Sequence, residues 1–350
     1  MTTLVEPESK PFHALATGAG VTVAVIDTGI TPHPHIARLD PGTDLVSPQA
    51  PNSLHDCDGH GTIVAGIIAG QEHGIAPNVR IVSIKQTSAF TQQEDTGGSL
   101  ETLAHAIHDA LDHQAKVINV SVVSCVPPAV ATQIDASILD QALARAEQEN
   151  ALVVAAAGNV NQGCEPGFFV FPAHYPTVVA VGARATEYTL ADYSLPVPPE
   201  QDFVSAPGMP TAALSPSGEG FAIGMKARSS DVSEPFTGTS FAAPVISGIA
   251  ALLVERYPDD SAEELRQRIY TAAEPHGGFL SPHAALTEVV SRDAPRPHPV
   301  ALSQPQEQHP FAYRRSLVAI TLLLAGAAVV VFIAGLKRTT NPARASRMPS

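Results

Sequence analysis

The chain has 350 residues, long enough for one large α/β domain with appendages. It lacks tryptophan and carries a formal net charge of -14, which argues against nucleic acid as a partner. Taken in chain order, apolar runs predict strands over residues 21–26, 79–84, 117–121, 152–156, 178–182 and 203–206. Between and after them, helices are predicted over 61–69, 100–113, 134–149, 240–257 and 262–273, the last opened by a Ser261/Glu264 capping box. Continuous apolar strands alternating with helices imply an α/β fold, a mostly parallel sheet covered on both faces in three layers.

The composition changes near residue 290. Residues 1–20 read as an N-terminal segment, 21–290 as the folded domain and 291–315 as a proline-rich linker. Residues 316–336 then read as a transmembrane helix: 317–336 is a twenty-residue run without charge, matching the hydrocarbon thickness at helical rise. A short basic tail, 337–350, carries Lys337, Arg338, Arg344 and Arg347, against Arg314 and Arg315 on the near side. The positive-inside rule then expects a single-pass protein of the cell membrane with a cytoplasmic tail and an extracytoplasmic domain, so the lipid bilayer is an expected partner. Residues 1–20 contain Glu6 and Glu8 and no apolar core. The expectation is a natural precursor that begins upstream of Met1 with an export signal; a tail-anchored protein facing inward is the alternative.

Three segments carry chemistry. Asp27-Thr28-Gly29 ends the first apolar strand, Asp58-Gly59-His60-Gly61-Thr62 opens the first helix, and Gly238-Thr239-Ser240 opens the long apolar helix. A serine hydroxyl needs a base within reach, and His60 is the candidate. Asp27 would fix the imidazole tautomer and stabilise the imidazolium. Ser240 at a helix start sits beside unpaired backbone N–H groups, which favour an oxyanion. Pro244 is placed in the first turn of that helix, where its missing N–H costs little. Asn159, after the strand 152–156, would point its amide at the same oxyanion. A second Asp-Thr-Gly at 95–97 raises the idea of an aspartic dyad, but it follows the polar stretch Thr91-Gln92-Gln93-Glu94 rather than an equivalent apolar strand. His55, Asp56, Cys57, Asp58 and His60 are metal-ligand types at short spacing, yet no matching cysteine or histidine pair lies nearby. Neither a metal nor a cofactor is expected.

Of the three cysteines, Cys57 lies just before His60 and Cys125 just past the strand 117–121, which should run beside the same cleft. A bridge between them would imply an oxidising compartment and leave Cys164 over; three unpaired thiols is the alternative.

The order Asp, His, Ser is that of the subtilisin arrangement. With Cys57-Asp58-Gly59-His60-Gly61-Thr62, Gly74-Ile75-Ala76-Pro77, Val82-Ser83-Ile84-Lys85-Gln86-Thr87-Ser88, Asn119-Val120-Ser121, Ala156-Ala157-Gly158-Asn159, Ala206-Pro207-Gly208 and Gly238-Thr239-Ser240, the chain resembles the subtilases, and within them the mycosins, membrane-anchored proteases associated with type VII secretion. The resemblance implies a serine endopeptidase with Asp27, His60 and Ser240 as triad and Asn159 in the oxyanion hole. It implies a Cys57–Cys125 bridge and a catalytic domain facing outward. Ser121, Val122 and Val123, and Ala155, Ala156 and Ala157, would form the two edges of the substrate cleft. Val123 in place of a usual glycine should narrow it, which suggests selective processing of one or few secreted proteins. A protein or peptide substrate and membrane proteins of a secretion complex are the implied partners; a mainly structural role in such a complex is the competing reading.

Overall fold

A computed structural model describes residues 10–89, 98–161, 163–186, 188–226, 233–275 and 278–289. The predicted linker, transmembrane helix and basic tail, and the second Asp-Thr-Gly, lie outside the described residues. In chain order the elements are β1 (Thr22–Asp27), β2 (Leu39–Asp44), α1 (His60–Ala69), β3 (Arg80–Lys85), α2 (Leu100–Asp112), β4 (Val117–Val120), β5 (Ser124–Val126), α3 (Pro128–Ala131), α4 (Ser137–Gln148), β6 (Leu152–Ala156), β7 (Phe169–Phe171), β8 (Val178–Arg184), β9 (Phe203–Pro207), β10 (Ala213–Leu214), β11 (Phe221–Ala222), α5 (Thr239–Arg256), α6 (Ala262–Ala272) and α7 (Pro282–Thr287).

Seven strands form one sheet in the order β2-β3-β1-β4-β6-β8-β9, and every pairing in it is parallel. Alternate residues of β1 feed opposite cores. Val23 and Val25 join Ile63, Phe241 and Ile246 on the face covered by α1 and α5, while Ala24 and Ile26 join Leu103, Ile107 and Leu139 on the face covered by α2 and α4. That is the predicted three-layer α/β arrangement. The chain leaves β1 toward β2 and β3 on one side and returns to β4 on the other. The carboxyl end of β1, where Asp27 sits, is therefore the point at which strand order reverses and where such sheets place their ligands.

The structure departs from the sequence reading in four places. β2 has no apolar run, since it reads Leu-Asp-Pro-Gly-Thr-Asp; it is an edge strand with an irregular register between Pro41 and Asp44, a position that tolerates proline. The helix expected from 134 begins at Ser137, because the Asp135 carboxylate accepts the Ser137 N–H and holds a turn there. α5 begins at Thr239, so Pro244 falls in its second turn and withholds the N–H that the Ser240 carbonyl would otherwise accept. Finally, Cys125 bridges Cys164 rather than Cys57, with 5.3 Å between their Cα atoms. The reason is the small antiparallel β5–β7 sheet: Cys125 pairs there opposite Val170, and a two-way backbone bridge between Asn161 and Cys164 folds the chain after β6 back beside it. Cys57 is left exposed, its Sγ 3.1 Å from His55 Nε2.

α5 is long and apolar enough to resemble a membrane span, but it is the central core helix, with thirteen of its eighteen residues buried. Its far end is tied to the start of the domain. The Glu255 carboxylate accepts the backbone N–H groups of Thr17, Gly18 and Ala19 at 2.6, 2.6 and 3.1 Å.

Candidate active site

β1 delivers Asp27 fully buried to the sheet's switch point, and α1 presents His60 as its first residue. His60 Nδ1 and Asp27 Oδ1 are 2.7 Å apart, a bond in which the ring nitrogen donates to the carboxylate. The same oxygen accepts the Thr28 N–H at 2.8 Å. Burial by itself pushes the His60 imidazole down; the charge and hydrogen bond of Asp27, helped by Asp56 and Asp58, outweigh it and hold the ring above its ordinary value. The approach of α1 to Asp27 depends on Gly61. A Cβ there would lie 2.1 Å from the Gly29 carbonyl oxygen and 3.1 Å from Asp27 Cβ.

Asp56, which the sequence reading grouped only with the metal-type residues, organises this corner. Its buried carboxylate accepts Thr28 Oγ1 at 2.8 Å, Gly59 N at 2.8 Å, Thr62 N at 2.8 Å and Thr62 Oγ1 at 2.7 Å. Thr28 Oγ1 in turn accepts the Gly61 N–H at 3.0 Å. Gly59, the N-cap of α1, has no side chain to offer, so Asp56 does the capping from three residues upstream. An aspartate ahead of an apolar helix start, with Thr62 six residues on, was the available signal. Burial raises the pKa of Asp56, and the bonds from Thr62 and Thr28 work against that rise. Asp56→Ala is expected to strand these donors and lower unfolding stability by about 3 kcal/mol or more, read as a urea midpoint shift at constant slope.

Ser240 is half-buried in the first turn of α5. Phe241, beside it, places its ring 5.1 Å from the His60 ring, so α5 and α1 meet at these two residues. Asn159 is oriented by Thr239: its Oδ1 accepts Thr239 N at 2.9 Å and Thr239 Oγ1 at 3.2 Å, which turns the amide NH₂ away from that contact. A Cβ built on Gly238 would lie 3.0 Å from Ser240 Oγ and 3.4 Å from Asn159 Nδ2. Both atoms therefore border one small volume, which Gly238 leaves clear. Thr239, 1 % exposed, was not singled out by sequence reasoning; its only signal was its place between the glycine and the serine.

The residues expected along the cleft are also placed. β4 ends at Val120, and Ser121 follows buried, its Oγ accepting from Asn119 Nδ2 at 2.8 Å. Asn119 Oδ1 accepts Ser247 Oγ at 2.8 Å, which ties this strand end to α5. Val122 and Val123 are half-buried, with Val123 packed against both cores. Ala155, Ala156 and Ala157 are at most 1 % exposed, so their side chains present no accessible wall. Cys57 lies outside the Asp27–His60–Ser240 group, at the surface before α1.

A sequence profile described as the Subtilase family matches residues 18–300. Mycosin-4 of Mycobacterium tuberculosis is 37% identical over 359 residues, covering 90% of this chain and 76% of its own length. Among solved structures, MycP1 with its N-terminal propeptide removed superposes with a TM-score of 0.72 at 33% identity, over 81% of this chain and 95% of that one. A chain of an intact ESX-5 inner membrane complex gives a TM-score of 0.72 at 29% identity, over 95% of this chain and 92% of that one. The switch-point carboxylate, the histidine it holds, and a match that runs through the whole folded domain lead to one conclusion: this chain belongs to the subtilase family of serine endopeptidases and is similar to the mycosins.

Proposed function

We propose that Asp27, His60 and Ser240 form the catalytic triad, with Asn159 as oxyanion donor, and that the chain is a membrane-anchored endopeptidase that cleaves selected secreted proteins. The observation that carries this reading is the 2.7 Å Asp27–His60 bond at the sheet's switch point, with Ser240 Oγ and Asn159 Nδ2 bordering one volume nearby. Because Nδ1–H is committed to Asp27, the neutral ring keeps Nε2 as the basic nitrogen. His60 Nε2 takes the Ser240 proton as Oγ attacks the peptide carbonyl, then passes it to the leaving amine. The developing oxyanion is met by Asn159 Nδ2 and by N–H groups at the start of α5, which lack intrahelical acceptors. Water then attacks the acyl-enzyme, with His60 again as base.

The cleft edge at Ser121, Val122 and Val123 supports selectivity, because the half-buried Val123 brings side-chain bulk to the strand that leads out of the site. Anchoring rests on the uncharged run 317–336 and its basic flank, which favour a catalytic domain outside the membrane and a cytoplasmic tail. Likeness to a chain of an ESX-5 inner membrane complex supports membrane proteins of a type VII secretion complex as partners, and favours a scaffolding role as the second reading. A fluorophosphonate should label the purified protein at Ser240 and nowhere else; labelling that persists in Ser240→Ala overturns the nucleophile. External protease should digest the domain in intact cells, and protection until lysis would place it inside instead. Secretion that survives Ser240→Ala would shift the weight to scaffolding.

A further inference from the structure

The Cys125–Cys164 bridge sits against the turn that carries Asn159. A Cβ at Gly158 would lie 3.5 Å from Cys125 Sγ and 3.6 Å from Cys164 Sγ, so both sulfurs line the space beside the residue just before Asn159. Gly158 is itself at φ +96°, a backbone state that other residues resist, and its Cβ would also meet Leu195 Cδ1 at 2.8 Å. From Asn159 the chain is tied to Cys164 by short steps. Asn161 Nδ2 donates to the Asn159 carbonyl at 3.1 Å, and Asn161 and Cys164 exchange both backbone hydrogen bonds, at 3.0 and 3.1 Å. On its other side, Cys125 belongs to β5, two residues past the Ser121–Val123 cleft edge. One covalent link therefore joins the strand leaving one side of the site to the turn that presents the oxyanion donor. A bridge meant only to shorten the unfolded chain would act from any place in the fold.

The geometry points to Cys125 and Cys164 as positioning residues: their bridge fixes the Gly158–Asn159 turn so that Asn159 Nδ2 faces the oxyanion. The inference rests on the proposed role of Asn159. Thr239 holds the amide by its oxygen, but it cannot fix the main chain that carries it; the bridge does so from beneath. An amide donor displaced by about 1 Å loses most of its transition-state contact, so the loss should appear in kcat more than in KM.

The test is a cycle of four proteins in a Cys57→Ser background, so that no third thiol intervenes: bridge intact or replaced by Cys125→Ala/Cys164→Ala, each with Asn159 or Asn159→Ala. With the bridge intact, Asn159→Ala should lower kcat about 10²- to 10³-fold, the magnitude known for the corresponding donor of subtilisin, a relative of this chain. Removing the bridge should lower kcat at least about ten-fold with KM nearly unchanged, and the cost of Asn159→Ala should shrink by a similar factor in that background. If the bridge-free chain does not fold, the oxidised, folded protein is assayed with dithiothreitol. That dithiol is oxidised to its cyclic disulfide as the Cys125–Cys164 bond becomes two thiols, and circular dichroism confirms the retained fold. The Asn159 protein should slow and recover on re-oxidation, while Asn159→Ala should barely respond. Equal costs of Asn159→Ala with and without the bridge overturn the positioning role alone. An unchanged kcat in Asn159→Ala with the bridge intact overturns the oxyanion role, and the inference with it.

Discussion

Ser240→Ala is expected to lower kcat on the order of 10⁶-fold while leaving the melting temperature within a few degrees of the parent. The rate figure is that measured for the serine of subtilisin, a member of the same family. The reasoning for stability is local. Ser240 is half-buried at a helix start, and alanine removes one oxygen without opening a core cavity or clashing with Gly238. The catalytic loss follows because the proposed reaction passes through Ser240 Oγ, the hydroxyl that borders the volume shared with Asn159 Nδ2. Some acceleration over water should survive, about 10³- to 10⁴-fold, from the oxyanion donors and substrate binding. A fluorogenic peptide assay reads the first quantity and a thermal scan the second. Activity within ten-fold of the parent would remove Ser240 from the mechanism.

Asp27→Asn should cost about 10⁴-fold in kcat with the fold retained, since an amide of the same shape still fills the buried site but favours the wrong imidazole tautomer. It should also move the pH profile, and the sign can be worked out. His60 acts as base in its neutral form, so kcat/KM falls as pH drops through the His60 pKa. That value is raised in the parent: burial lowers it, but the Asp27 charge and hydrogen bond more than reverse this. The acidic limb of the parent should therefore lie above the ordinary histidine value of about 6.5. In Asp27→Asn the opposing charge is gone, burial prevails, and the limb should move to lower pH. A residual activity whose limb stays in place would show that Asp27 does not set the His60 charge state.

Much of this arrangement was legible in the sequence because it is written locally. Asp27 ends an apolar strand, His60 opens an apolar helix and Ser240 lies in the first turn of another, and each signal needs only its own neighbours to be read. Parallel pairing was equally legible, since β1, β3, β4, β6 and β8 are buried along nearly their whole length and alternate with helices. What stayed hidden depends on contacts distant in sequence. β2 is held by pairing with β3 and has no apolar pattern of its own. Asp56 looked like one of several metal-type residues until its four donors were placed around it. The Cys57–Cys125 expectation fails because β5 pairs with the distant β7, and the nearness of Cys57 to His60 along the chain says nothing about that pairing. The start of α5 at Thr239 likewise depends on Asn159 accepting its N–H from eighty residues away.

The place of α5 has a bearing on when the enzyme can act. The helix whose first turn carries Ser240 also covers much of one face of the sheet beside α1, touching β4, β6, β8 and β9, and its far end clasps residues 17–19. A chain emerging from the ribosome or a translocation channel presents Asp27 and His60 early, but on one side of its sheet β4, β6, β8 and β9 lack their covering helix until residues 239–256 arrive and dock. Folding dominated by such remote contacts is slow, and closing that face last would make it a single late event. On the proposed triad the chain would thus stay inert until residue 256 has docked, because the step that covers this part of the sheet also brings Ser240 toward His60.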